Sequence, residues 1–180
     1  MRLPGPALPA HQWRRLREIT TVLVKYGFPD VVARLNRSLA TTCPRNRFVT
    51  FFFAIIDPRN GEVGFCNAGH NPPLLVRESG EIVQLEGGGP VLGILPAMAY
   101  QGQHCRMEPG DVLLLYSDGV TEACNPEGME FEGRFLELAR EARGRSAAEI
   151  VQQVHEAVRD WIAGQPPADD VTVVCARRTR

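Results

Sequence analysis

VLLLYSDGVTEA (112–123) joins two patterns that rarely sit together. Five apolar residues, 112–116, make a strand with no polar alternation, the signature of a strand buried on both faces. An aspartate, Asp118, then stands at its lip, followed at once by Gly119. Asp-Gly is a common turn dipeptide. A lone carboxylate at the end of a buried strand also suits a cation. Late in the chain, ADDVTVV (168–174) repeats the arrangement in reverse, with Asp169 and Asp170 leading into the apolar strand 171–176. If these two strands are neighbours with their acidic ends together, three carboxylates share one sheet edge. Like charges so close raise one another's pKa unless a cation intervenes, and hard ions such as Mg²⁺ or Mn²⁺ favour oxygen ligands. Taken singly, each stretch is as well read as a turn or a solvated loop.

The rest of the chain supplies more strands. FVTFFFAII (48–56), the turn DPRNG (57–61) and EVGFCNA (62–68) read as a hairpin: proline sets φ and Asn-Gly tolerates positive φ. PLLV (73–76) and IVQL (82–85), joined by ESGE, read as a second hairpin. A short strand is expected near 99–106. Helices are expected near 131–143, with Phe131, Phe135 and Leu138 on one face, and from Ser146, where Glu149 stands at capping-box spacing. Ahead of the strands, Trp13, Leu16, Ile19, Leu23 and Tyr26 lie at helical spacing with Gly27 as a stop, and Pro29 opens a second helix carrying Val32, Leu35 and Leu39. Helices, then antiparallel strands, then helices and a last strand make an α+β layout, not an alternating one.

Length and charge narrow the function. A chain of 180 residues fits one domain, and 20 Lys+Arg against 21 Asp+Glu leave a net charge of −1. Nothing in that balance attracts nucleic acid or an anionic membrane. Five cysteines with no CxxC pair point to neither a disulfide framework nor zinc. With no apolar run of about 18 residues and no signal-peptide layout, a cytoplasmic location is expected.

Two further stretches carry candidate chemistry. In NAGHNPPLL (67–75), His70 could meet a phosphate or hold its own loop in place, and the structural role has the stronger prior. GGGP (87–90) offers free amides but lacks the GK[ST] of a P-loop, so a flexible turn is expected.

Taken together and in order, FVTFFFAIIDPRNGEVGFCNAGHNPPLLV (48–76), GDVLLLYSDGVTEACNPEGMEF (110–131) and DDVTVV (169–174) resemble the metal-dependent protein phosphatases of PPM type, in the bacterial sporulation-E and sigma-regulator branch. The resemblance runs from about Pro29 to Arg178. It implies an α+β fold of two stacked antiparallel sheets flanked by helices, an αββα sandwich. It implies Mn²⁺- or Mg²⁺-dependent hydrolysis of phosphoserine or phosphothreonine on a protein such as an anti-sigma-factor antagonist. Asp118 falls on the metal aspartate of the family's (S/T)DG element, Asp169 on that of its D(D/N)xT element, with Asp170 beside it. Gly119 matches the glycine that lets the loop approach the site, and His70 the AGH loop, in a structural or substrate-positioning role. The family's earlier half, with a GD-type aspartate and a DxSGHG element whose aspartate bridges two metals, has no counterpart here. The expected organisation is therefore a non-matching segment 1–28 and a truncated phosphatase domain 29–180. Where the family holds two ions, such a domain is expected to hold one or none, and its exposed sheet edges would invite self-association. The competing expectation is a non-catalytic module that binds a sigma-regulatory partner.

Overall fold

The computed structural model describes residues 27–44 and 47–179, and the helical pattern anticipated over 13–26 lies outside them. Gly27 takes φ 71°, the left-handed conformation that suits a helix stop. A helix follows over 27–42 (α1). Its Val32 is fully buried, and so is Asn36, which uses its whole amide. Asn36 Nδ2 donates to Leu95 O at 2.8 Å, and its Oδ1 accepts from Gly93 N at 2.9 Å. These bonds tie the helix to the loop that crosses beneath it.

Among the described residues, eight strands form two sheets. In the first, β1 (Phe51–Ile56) pairs antiparallel with β2 (Glu62–Ala68), from Phe51 opposite Ala68 to Ile56 opposite Val63. On its other side β2 meets β5 (Gly88–Gly89) and β6 (Gln103–Arg106). The second sheet has the order β4-β3-β7-β8, built from β3 (Leu74–Val76), β4 (Ile82–Gln84), β7 (Val112–Tyr116) and β8 (Val173–Arg177). The helices that follow β7 are α2 (Asp118–Thr121), α3 (Glu132–Glu141) and α4 (Ala147–Trp161).

The two-residue alternation of each strand sorts its side chains into layers. Val63 and Phe65 of β2 meet Leu75 and Leu113 of the second sheet in the seam between sheets. Cys66 and Ala68, on the opposite face of β2, pack with Val32 of α1. Leu74, Val76, Val112, Leu114 and Tyr116 face outward onto Phe135 and Leu138 of α3 and Ile150, Val154 and Val158 of α4. The sequence of layers is helix, sheet, sheet, helices, the αββα sandwich that the family resemblance implies.

Three local expectations need correction. The last strand is not buried on both faces: Val174 is 54% exposed, because β8 closes the sheet edge with β7 as its one neighbour. The strand near 99–106 contracts to Gln103–Arg106, since Tyr100 is drawn into the core under α1. GGGP is not a free turn. Asn67 N donates to Gly87 O at 3.0 Å, Gly88 and Gly89 run parallel to β2, and a Cβ on Gly88 would stand 2.6 Å from Asn67 N. Its glycines serve close backbone approach.

The Ser146 capping box forms as expected. Glu149 N donates to Ser146 Oγ at 3.3 Å, and Ser146 N to Glu149 Oε2 at 2.7 Å. Ser146→Ala should cost about 1 kcal/mol, read as a lowered urea midpoint with an unchanged slope.

Candidate metal centre

The ladder between β7 and β8 runs to Tyr116 opposite Val173. One residue further, Ser117 takes over. Its amide donates to Thr172 O at 3.0 Å, its Oγ accepts from Thr172 N at 2.9 Å, and its hydroxyl donates to Asp170 O at 2.7 Å. The hydroxyl therefore continues the pairing after the strands diverge, and it binds the two acid-bearing loops to each other. Gly119 makes the second contact. It is buried, and a Cβ there would stand 2.6 Å from Asp170 O and 3.1 Å from Asp169 O. No side chain other than hydrogen fits between the loops.

Asp118, Asp169 and Asp170 thus belong to adjoining loops at one end of the second sheet, and all three are exposed. Asp118 opens the single turn of α2 instead of sitting in a free turn, and its Oδ1 accepts from Gly119 N at 3.0 Å. Asp169 Oδ1 turns back to accept from Asp170 N at 2.7 Å. Their main chains converge as the sequence suggested; their carboxylates do not close into a ligand cage. Among the described residues no group of three or more His, Cys, Asp or Glu side chains is placed to hold an ion.

The donor set is all oxygen, which fits a hard divalent cation. Asp118, Asp169 and Asp170 carry the carboxylates at this sheet end that could supply such oxygens, and as placed they form no ligand group.

His70 sits where the AGH loop leaves β2, after Gly69 at φ 74°. Its backbone, not its ring, is fixed: His70 N donates to Asn67 Oδ1 at 2.8 Å, and Asn67 Nδ2 donates to His70 O at 2.9 Å and to Leu85 O at 3.3 Å. Asn67 is a buried organiser that the sequence reading passed over, as it passed over Ser117. The available signal was the polar residue standing directly before AGH and before DG. The same loop continues into Asn71 and Pro72, which line an open cleft of about 340 Å³ with Tyr116, Thr121, Glu122 and Glu132. Burial, then the nearby Glu132 carboxylate, push the Tyr116 phenol up, so it stays neutral in the cleft wall.

Ser117→Ala removes two hydrogen bonds between the loops. It should cost about 1–3 kcal/mol by urea unfolding, and Ser117→Thr, which keeps the hydroxyl, should recover most of it.

The chain is 30% identical over 131 residues to protein IcfG of Synechocystis, covering 73% of this chain and 21% of IcfG. It is 29% identical over 150 residues to the phosphoserine phosphatase RsbU of Bacillus subtilis, covering 83% of this chain and 44% of RsbU. It therefore spans less than half the length of these curated relatives. Among solved structures, the Mn-presoaked phosphatase domain of the B. subtilis cell fate determinant SpoIIE superposes with a TM-score of 0.62 at 16% identity, over 97% of this chain and 76% of that one. At that identity the likeness concerns the fold. The family model for stage II sporulation protein E matches residues 13–179. The chain belongs to the SpoIIE family of PP2C-fold phosphatase domains.

Proposed function

We propose that this chain carries a phosphoserine/phosphothreonine phosphatase site that works with Mn²⁺ or Mg²⁺ held by Asp118, Asp169 and Asp170. The observation that carries the reading is the Ser117 clamp, with its 2.7 Å bond to Asp170 O and 2.9 Å bond from Thr172 N. It brings together acids that lie about 50 residues apart in the chain. When bound, the cation supplies charge withdrawal from the phosphate ester and lowers the barrier to attack by water. The chain's own residues do the positioning. Asp118 and Asp169 provide anionic oxygens on facing loops. Gly119 allows the loops to touch, and Ser117 keeps them in register. The His70 loop is fixed through Asn67 and continues into the cleft that Tyr116 and Thr121 line, and its ring is the group proposed to orient substrate phosphate.

The substrate class proposed is a phosphorylated protein of a sigma-factor or stress pathway, such as an anti-sigma-factor antagonist, met in the cytoplasm. The kinship with RsbU, named a phosphoserine phosphatase, supports it. A net charge of −1 gives no support to nucleic acid as a partner. Among the described residues no helix is long and apolar enough to cross a membrane.

Hydrolysis of a phosphoserine peptide by the pure chain tests the reading. Release of phosphate that needs Mn²⁺ or Mg²⁺ and stops with chelator is expected; no release with either ion overturns catalysis by this chain. One observation favours a second reading, a non-catalytic module that binds a sigma-regulatory protein: the carboxylates do not form a ligand group. Peptide capture without hydrolysis in the same assay is what that reading expects.

A further inference from the structure

The first sheet ends at β1, which among the described residues forms its ladder with β2 alone. Its outer row of amides and carbonyls has no strand beside it. An open edge of this kind is a template for another chain unless charge, proline or brevity protects it.

The edges of this fold differ sharply in that protection. In the second sheet, β4 is three residues long and flanked by Glu81 and Glu86, while β8 ends in Arg177 with Arg178 next. Across the first sheet, β6 carries His104 and Arg106. The run through β1, FVTFFFAII (48–56), has no charge, no proline and no glycine. Its ends are exposed: Phe48 60%, Val49 41% and Ile56 38%. The apolar surface continues past Val49, which bridges Leu92, to the exposed Ile94 and Leu95.

We propose that β1 pairs edge to edge with β1 of a second copy of this chain. A two-fold contact sets a segment against its own reverse. For the other edges this brings arginine towards arginine or glutamate towards glutamate, which is unfavourable. For FVTFFFAII it brings phenylalanine, valine and isoleucine against the same residue types, in any antiparallel register. The run therefore matches itself without a charge penalty, and the two four-stranded sheets join into one. The candidate metal centre belongs to the other sheet and stays open.

Sedimentation of the full chain over a dilution series, with a Thr50→Lys/Ile56→Lys variant alongside, tests this. Both positions are exposed and outside the buried core. The wild-type mass should fall from two chains to one on dilution. The variant should remain one chain throughout, with an unchanged thermal melt by circular dichroism. Hydrogen exchange of the wild type gives a check independent of the variant's folding: β1 amides should exchange slowly in concentrated solution and faster in dilute solution. A wild type that is one chain at every concentration overturns the proposal. So does a folded variant that associates as tightly as the wild type, or β1 exchange that does not depend on concentration.

Discussion

Replacing Asp111 by alanine is expected to destabilise the domain by about 3–5 kcal/mol, the loss seen when one partner of a buried ion pair is removed. The side chain is only 2% exposed. Its Oδ2 accepts from Arg77 Nη1 at 2.8 Å and from Glu108 N at 2.8 Å, and its Oδ1 accepts from Glu78 N at 2.9 Å. Its own backbone closes the corner, with Arg178 N donating to Asp111 O at 3.0 Å. The carboxylate thus joins the β3–β4 turn to the turn that leads into β7, while the backbone of the same residue holds the end of β8. Without that carboxylate, two amides lose their acceptor and Arg77 keeps only the Arg106 carbonyl, at 2.6 Å. Arg77 is 28% exposed and can recover water, so the effect should sit near the lower end of the range.

The same group sets an acid limit. Burial pushes the Asp111 carboxyl up, but the Glu108 amide, Arg77 and the Glu78 amide outweigh it and hold the group below the ordinary carboxylate range. The folded state therefore binds this proton less readily than the unfolded chain. The associated stability is present above the unfolded carboxylate pKa and is lost as pH falls through the folded value. Urea midpoints measured from neutral to acid pH should fall for the wild type, and the fall should be shallower for Asp111→Asn.

The second large effect is expected at the metal centre. Asp118→Asn or Asp169→Asn removes one of the three anionic ligands proposed above. Each should weaken Mn²⁺ binding by at least the roughly 10–100-fold that follows loss of an outer-shell partner, and metal-dependent hydrolysis should drop accordingly. Both side chains are exposed, so the urea midpoint should not fall; relief of like-charge repulsion should raise it slightly. Gly119→Val should separate function from charge. All carboxylates remain, yet the new Cβ would stand 2.6 Å from Asp170 O, and the loops must part. Activity and stability should then fall together.

Much of this arrangement was legible in the residues. The unbroken apolar run 112–116 announced a central strand, and β7 does lie between β3 and β8. EVGFCNA was legible as one strand of a hairpin, and it pairs with β1 from Val63 to Ala68. Asp118 and the Asp169–Asp170 pair do meet at one sheet end. What stayed hidden was the fastening. Ser117 reaches a carbonyl 53 residues away, and Asp111 an arginine 34 residues back, so no local period records either. Asp111 stands in a Pro-Gly-Asp turn, which accounts for an acid there without any tertiary partner. Asn67 and the glycines of GGGP were opaque for the same reason: their role is the approach of β5 to β2, a pairing between segments about 20 residues apart. Overestimated burial of the final strand came from composition, which does not say whether a strand lies at the centre or the edge of its sheet.

Calorimetric titration of the full chain with Mn²⁺, beside Asp118→Asn and Asp169→Asn, tests the central claim most directly. The account predicts one saturable site in the wild type that is lost or severely weakened in both variants, each still folded by circular dichroism. Absence of binding in the wild type, or an affinity that neither substitution changes, would contradict it.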